Sequence, residues 1–313
     1  MRIVMMFDFP ALSERIREIV PEADILTLSP TDPLDQLGRV DVVLATPGDS
    51  QTLSRLLDHQ PDVGWIHILG TGVDDYPIDL LRGRLVSCSK GATAVPIAEW
   101  VLAMMLAHAK RLPSSWASVP PEQWFMADLD TLEGKTLGII GFGQIGQAIA
   151  RRALAFDMNV ICHMRTHRSS GMSGVESVAD LDEMIPYADH LVLALPSTAE
   201  TVGLMDTARL SRLNRGSHLI NISRAALIDH EALKERLDSG QITRASLDVV
   251  SPEPLPDGHW LYQHPNVQLS PHIAWNGPRS HERMSQAFLD NLRRRCAGDS
   301  LQGVVDTACS YVP

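Results

Sequence analysis

The 313-residue chain is short of cysteine, of positive charge and of long apolar runs, and each shortage excludes a class of protein. Its four cysteines (Cys88, Cys162, Cys296 and Cys309) are scattered, with no C-x-x-C pair. Neither a zinc site nor a disulfide scaffold is suggested, and no metal is expected. Lys and Arg number 27 against 38 Asp and Glu, a formal net charge of −11. Phosphate-backbone binding needs a basic stripe and none is present, so nucleic acid is not an expected partner. The longest apolar run, Trp100 to Ala107, falls far below the ~20 residues needed to cross a bilayer. The N-terminal apolar stretch is cut short by Asp8 and Pro10, too early for a signal peptide. Repeats and low-complexity segments are lacking too. A soluble, cytoplasmic protein is the expectation.

What is present is a glycine turn in mid-chain. Leu137 to Ile140 read as a short buried strand, and Gly141, Gly143 and Gly146 then occupy the positions of G-x-G-x-x-G. Ile145, Ile149, Ala153 and Phe156 line one face of the helix that follows, and a second strand, Met158 to Cys162, comes at the right distance. Such a turn needs its first glycine for the tight bend, its second for close approach of a pyrophosphate, and its third for helix–strand packing. The anion rests on unpaired N–H groups at the positive end of the helix. Gln147, rather than Lys, follows Gly146, which excludes a P-loop. A dinucleotide site is expected over a merely structural turn, with Gln144 and Ile145 lying along the cofactor beside the three glycines.

Length sets a prior of about two domains. Strand signals at Arg2–Phe7, Asp41–Ala45 and Trp65–Leu69 alternate with helical ones at Ala11–Ile19 and Ser50–Leu57. Residues 97–110 are apolar nearly all round, as expected of a helix buried between domains or subunits. After the glycine turn, Leu191–Leu195, Ser217–Ile222 and Ala245–Val249 read as strands of further βα units. An amphipathic helix starts at Ser280, with Met284, Phe288 and Leu292 on one face, and Gly298 stops it. About 130 residues precede the glycine turn, close to a whole domain on the usual size prior. The simplest account is α/β, with two doubly wound domains and the nucleotide domain inserted in the substrate domain. Both are Rossmann-like or flavodoxin-like, residues 99–278 forming the Rossmann nucleotide domain and residues 1–98 with 279–313 the substrate domain. The cleft between them is the default active site.

Three stretches place polar residues where strands end, which is where ligands bind in open α/β sheets. They are Asn221-Ile222-Ser223-Arg224, Leu247-Asp248-Val249-Val250-Ser251-Pro252-Glu253-Pro254, and Ser270-Pro271-His272-Ile273-Ala274-Trp275. Each has an ordinary reading. Arg224 could serve in a surface ion pair, Glu253 between prolines in an exposed turn, and His272 is one of twelve histidines. Together they supply an acid–base pair and a cation.

In that order they make the chain resemble the D-isomer-specific 2-hydroxyacid dehydrogenases, especially the glyoxylate and hydroxypyruvate reductases. The resemblance also takes in Gly70-Thr71-Gly72-Val73-Asp74, Ala98-Glu99 and Gly134-Lys135-Thr136-Leu137-Gly138, and so covers nearly the whole chain. It implies that Arg224 clamps the substrate's carboxylate and carbonyl oxygen, a task suited to a planar guanidinium. It implies that His272 is the proton donor and that Glu253 orients it and favours the imidazolium. Asp248 would orient the nicotinamide carboxamide. Backbone amides around Thr71 and Gly72 would receive the substrate carboxylate, and Pro196 and the Ile222–Arg224 turn would lie along the cofactor. A homodimer pairing through the Ile97–Lys110 helix is also implied. With nothing after residue 313, the amino-acid feedback of longer relatives is not expected.

Two departures stand out. Ala225 follows Arg224 where the family usually has glycine. An NAD-specific site places Asp or Glu about 20 residues past the glycines to hold the ribose diol. Here Met164 stands there, followed by Arg165, Thr166, His167 and Arg168. That removes the carboxylate and supplies Arg165 and Arg168 for a 2′-phosphate, so NADP(H) is preferred, with NAD(H) also accepted. Short-chain dehydrogenases are excluded, because none of the four tyrosines has Lys four positions later. A metal-dependent alcohol dehydrogenase would need a cysteine cluster, and formate dehydrogenases resemble a pattern with Gln at Glu253. The alternative is a non-catalytic, dinucleotide-sensing binding protein of the same fold, as in related transcriptional co-repressors, which can keep the same side chains.

Overall fold

The computed structural model describes residues 1–73, 76–121, 124–166 and 168–307. It separates into two compact units, Met1–Thr93 with Gly277–Pro313, and Ala94–Asn276. Both are α/β with wholly parallel sheets, and the second is inserted into the first.

In the first unit, β1 (Arg2–Met5), β2 (Asp24–Thr27), β3 (Val42–Ala45), β4 (Trp65–Ile68) and β5 (Val86–Cys88) lie in the order β2-β1-β3-β4-β5. This is the flavodoxin-like doubly wound order. Every residue of β3 and β4 is buried, as a central parallel strand covered on both faces requires. The helix Ser50–His59 is capped by Asp49, whose carboxylate accepts from Thr52 N at 3.2 Å. The sheet is completed from the other end of the chain. Met284, Phe288 and Leu292 of the helix Ser280–Ala297 are all buried, and Phe288 stacks on Trp65 with ring centroids 5.3 Å apart. That helix ends at Gly298, whose φ of 79° is the left-handed conformation glycine adopts freely. Beyond it, Cys88 N donates to Gly303 O and Val305 N to Val86 O, each at 2.9 Å.

In the second unit, the strands are β6 (Thr136–Ile140), β7 (Asn159–His163), β8 (Val175–Val178), β9 (His190–Leu193), β10 (Ser217–Asn221), β11 (Ile242–Leu247) and β12 (Val267–Leu269). Their order is β12-β11-β10-β9-β6-β7-β8. The chain winds outward from β6 to β8, then returns to β9 on the other side of β6. That reversal puts the topological switch point at the carboxyl end of β6, where the glycine turn sits. In the helix Ala94–Ala109 the buried residues (Ile97, Ala98, Val101, Leu102 and Met105 among them) share one core with Leu137, Ile149 and Val160 of the same unit. Val95, Trp100, Met104 and Ala107 are only part-buried and Ala103 is exposed, so apolar side chains remain on its other face. Exposed apolar side chains also crowd the segment after it, at Trp116, Val119, Trp124, Phe125 and Met126. Phe156, read from sequence as part of the buried helix face, is exposed, because the helix stops at Leu154.

Candidate active site

The glycine turn is built for close approach. Gly141 has φ 95°, and a Cβ there would stand 2.4 Å from Ala194 O. A Cβ on Gly146 would stand 2.3 Å from Gly141 O, so this glycine lets the helix Gln144–Leu154 press against β6. A Cβ on Gly143 would meet nothing within 4 Å. Two of the three glycines are thus dictated by the protein's own packing. The third opens a surface at the helix N-terminus, where Gly143 is the N-cap and backbone N–H groups are available to an anion. The residues present fit a dinucleotide pyrophosphate.

At the end of β7 there is no carboxylate. Met164 packs part-buried against the core, while Arg165, Thr166 and Arg168 are exposed. Arg168 is tied by its backbone, since Ser177 Oγ donates to Arg168 O at 2.5 Å. His167 lies outside the described residues. From Met158 to Val175 the chain contains neither Asp nor Glu. Across the sheet, Pro196 follows β9, and its carbonyl accepts from Thr201 Oγ1 at 2.8 Å.

Arg224 sits in a turn at the end of β10. Asn221 is fully buried and makes that turn: its Oδ1 accepts from Ser223 N at 3.0 Å, and its Nδ2 donates to Arg224 O at 2.8 Å. Ser223 Oγ donates to Leu193 O at 2.9 Å, tying the turn to β9. Arg224 itself is part-buried, extended at φ −145°, and one guanidinium nitrogen donates to Ser223 O at 2.8 Å. Ala225 opens a short 3-10 turn, a conformation in which a side chain is accepted without strain, so the missing glycine does not disturb the local backbone.

His272 and Glu253 meet. His272 Nδ1 lies 2.9 Å from Glu253 Oε2, and Glu253 Oε1 accepts from Val250 N at 3.1 Å. A carboxylate can only accept, so the proton of this bond sits on Nδ1, and Nε2 is the nitrogen available to a substrate. His272 has φ 54°, a left-handed backbone uncommon for a side chain with a Cβ. Its carbonyl accepts from Trp275 Nε1 at 2.9 Å.

Asp248, at the end of β11, is almost wholly buried and is surrounded by donors. Its Oδ1 accepts from Ser270 Oγ and from Ile273 N, and its Oδ2 from Ala274 N, the last two at 2.9 Å. Asn221 and Ser270 thus belong to the site. The one signal for them in the sequence was their place beside Arg224 and His272 in the polar strand-end stretches.

Thr71 and Gly72 belong to the first unit, in the turn after β4. Thr71 Oγ1 is buried with no hydrogen-bond partner among the described residues. Asp74, which closes that motif, lies outside the described residues.

The model of the D-isomer specific 2-hydroxyacid dehydrogenase NAD binding domain matches residues 102–274. The chain belongs to this family. It is 33% identical over 265 residues to glyoxylate/hydroxypyruvate reductase B of Pectobacterium atrosepticum, covering 80% of this chain and 81% of that one. It is 29% identical over 299 residues to D-3-phosphoglycerate dehydrogenase of Methanocaldococcus jannaschii, covering 93% of this chain but only 57% of that longer protein. In three dimensions it resembles an NADPH-dependent glyoxylate/hydroxypyruvate reductase of Sinorhizobium meliloti crystallised with NADP and sulfate. The TM-score is 0.84, with 26% identity and 99% of each chain covered.

Proposed function

We propose that this member of an NAD(P)-dependent dehydrogenase family is an NADPH-preferring reductase of small 2-oxo acids, glyoxylate and hydroxypyruvate among them, yielding D-2-hydroxy acids. The observation that carries the reading is the His272–Glu253 pair, an imidazole fixed through Nδ1 by a carboxylate, in the same unit as Arg224 and the open glycine turn. Nucleotide binding is assigned to residues 99–278, and substrate binding to residues 1–98 and 279–313.

The nicotinamide cofactor, when bound, supplies the hydride. Gly143 leaves room for the pyrophosphate, with Gln144 and Ile145 beside it, and Pro196 and Ile222 are assigned to the cofactor's flank. Arg224 holds the substrate carboxylate and carbonyl oxygen through paired N–H donors. Thr71 and Gly72 of the first unit are assigned to the same carboxylate. His272 gives its Nε2 proton to the carbonyl oxygen as that atom becomes an alkoxide, and Glu253 stabilises the imidazolium that precedes the transfer. In the oxidative direction the proton returns to Nε2.

The test is NADPH oxidation with glyoxylate and hydroxypyruvate, followed for the unmodified protein and for His272→Ala. Turnover is expected, and His272→Ala lowers kcat by roughly 10²–10⁴-fold. Arg224→Ala damages both KM and kcat, and Glu253→Gln moves the pH profile more than KM. Near-normal turnover of His272→Ala with every 2-oxo acid tried would overturn this assignment. A protein that binds NADPH tightly yet reduces none of them would instead be a sensor of the dinucleotide.

A further inference from the structure

The two buried polar residues at the carboxyl ends of β10 and β11 do more than fill space. Asn221 uses both ends of its amide on the Ser223–Arg224 backbone. Asp248 uses both carboxylate oxygens on Ser270, Ile273 and Ala274, and its carbonyl accepts from His272 N at 2.9 Å. The two are joined to each other, since Asp248 N donates to Asn221 O at 3.0 Å. The ring of donors around Asp248 flanks His272 on both sides in sequence, at Ser270 and at Ile273 and Ala274. This matters because His272 is left-handed, and such a backbone persists only where its surroundings over-determine it.

We infer that Asn221 and Asp248 are positioning residues, forming one linked bracket in which Asn221 sets the turn of Arg224 and Asp248 sets the turn of His272. The inference rests on the proposed roles of Arg224 and His272. It gives Asp248 a task apart from the nicotinamide carboxamide. Its carboxylate holds the backbone from which the imidazole reaches Glu253, so loosening it lengthens the 2.9 Å bond at Nδ1. The His272 ring then loses its aim.

Two near-isosteric variants test the bracket. Asp248→Asn points an NH₂ at one of the backbone N–H groups of Ile273 or Ala274, donor against donor. Asn221→Asp keeps the acceptor for Ser223 N but turns a negative oxygen toward Arg224 O. At saturating NADPH, Asp248→Asn is expected to lower kcat by on the order of 10²-fold, the effect of misplacing a reacting group by about 1 Å. Asn221→Asp is expected to raise KM for the 2-oxo acid roughly tenfold, the loss of one good contact, with a smaller change in kcat. The Kd of NADPH, followed by its fluorescence, stays within a factor of two or so of the unmodified value in both.

A second readout needs no turnover. The downfield Nδ1–H resonance of His272, assigned by its loss in His272→Gln, should move upfield in Asp248→Asn as the bond to Glu253 lengthens. If Asp248→Asn fails to fold, Ser270→Ala removes one donor from the same carboxylate and should shift kcat and the resonance in the same direction by less. A rise in the NADPH Kd with kcat and the His272 resonance unchanged would overturn the inference and return Asp248 to the carboxamide. If the unmodified protein reduces no 2-oxo acid, the functional reading fails, while the His272 resonance still decides the bracket.

Discussion

At the residue scale, two glycines in one motif are constrained by different things, and substitution separates them. A Cβ on Gly146 collides with the Gly141 carbonyl, a backbone atom that cannot yield cheaply. A Cβ on Gly143 enters open space. Gly146→Ala is therefore expected to lower Tm, and Gly143→Ala to leave Tm nearly unchanged while weakening NADPH and NADH alike. Calorimetry with a cofactor titration checks both, and a Gly143→Ala protein of unaltered cofactor affinity would count against the pyrophosphate site. Arg165 and Arg168 are the proposed discriminators between the two cofactors. With no carboxylate at Met164 to repel a 2′-phosphate, one charge-assisted contact is expected to give about a tenfold preference for NADPH in kcat/KM, reduced by salt at these exposed positions. Replacing both arginines with Ala should erase it, and equal efficiencies in the unmodified protein would remove its basis.

At the element scale, what was legible in the sequence follows burial. Strands that are central and covered on both faces, such as β3, β4, β6, β9 and β10, appear as apolar runs and were readable to within a residue or two. Three of the four edge strands, β2, β8 and β12, have no fully buried residue, and their Asp-Ile-Leu-Thr, Val-Glu-Ser-Val and Val-Gln-Leu carry no comparable pattern. The fourth, β5, is buried throughout, but its three residues are too few to show a period. In the candidate site, the sequence singled out Arg224, Glu253 and His272 by side-chain types that suit the proposed chemistry, and the structure brings Glu253 and His272 together. The backbone bonds of Asn221 and Asp248 were not legible, because they reach partners that sequence does not reveal. The same elements hide a group of histidines. His190 at the start of β9 and His218 in β10 face each other, Nδ1 to Nδ1 at 3.2 Å, and His218 Nε2 lies 2.9 Å from Ser246 Oγ. His108, on the helix Ala94–Ala109, packs its ring 4.9 Å from that of His218.

Burial holds all three of these histidines neutral, with His190 lowered to about 3, His108 to about 4 and His218 well below its ordinary value. The histidines repel one another's charge, Arg244 and Lys135 add to this, and Asp130 opposes it. In the unfolded chain each takes a proton near 6.5. The unfolded state therefore binds more protons below that pH, and stability present at neutral pH is lost as pH falls from about 6.5 toward 4. Tm measured across this window should drop steadily. His218→Asn should lower Tm at pH 7.5 and flatten the dependence. A Tm that does not change between pH 7.5 and 4.5 would mean these rings are not buried neutral.

At the scale of the whole molecule, apolar side chains are left uncovered both on the helix Ala94–Ala109 and in the segment after it. On the helix Ala103 is exposed and Val95, Trp100, Met104 and Ala107 are only part-buried, and Trp116, Val119, Trp124, Phe125 and Met126 are exposed within eleven residues of chain. Large aromatic side chains grouped on a surface mark an interface more often than free solvent exposure. We expect a homodimer, held in part by this segment. Light scattering at micromolar concentration should report twice the 34.4 kDa chain mass. Trp124→Ser with Phe125→Ser should shift the protein toward monomer, and a monomeric unmodified protein would refute the expectation.

The insertion of one unit in the other also fixes an order of events during synthesis. Residues 94–276 are continuous, so the second unit has its entire sequence as soon as it leaves the ribosome. The first unit does not. Trp65 finds Phe288, and Val86 and Cys88 find Val305 and Gly303, only after the inserted unit has been made. Its five strands and the apolar faces of β3 and β4 must wait through more than half of translation for their closing helix. The first unit to be started is therefore the last to be finished, and it is the one that nascent-chain chaperones would have to guard.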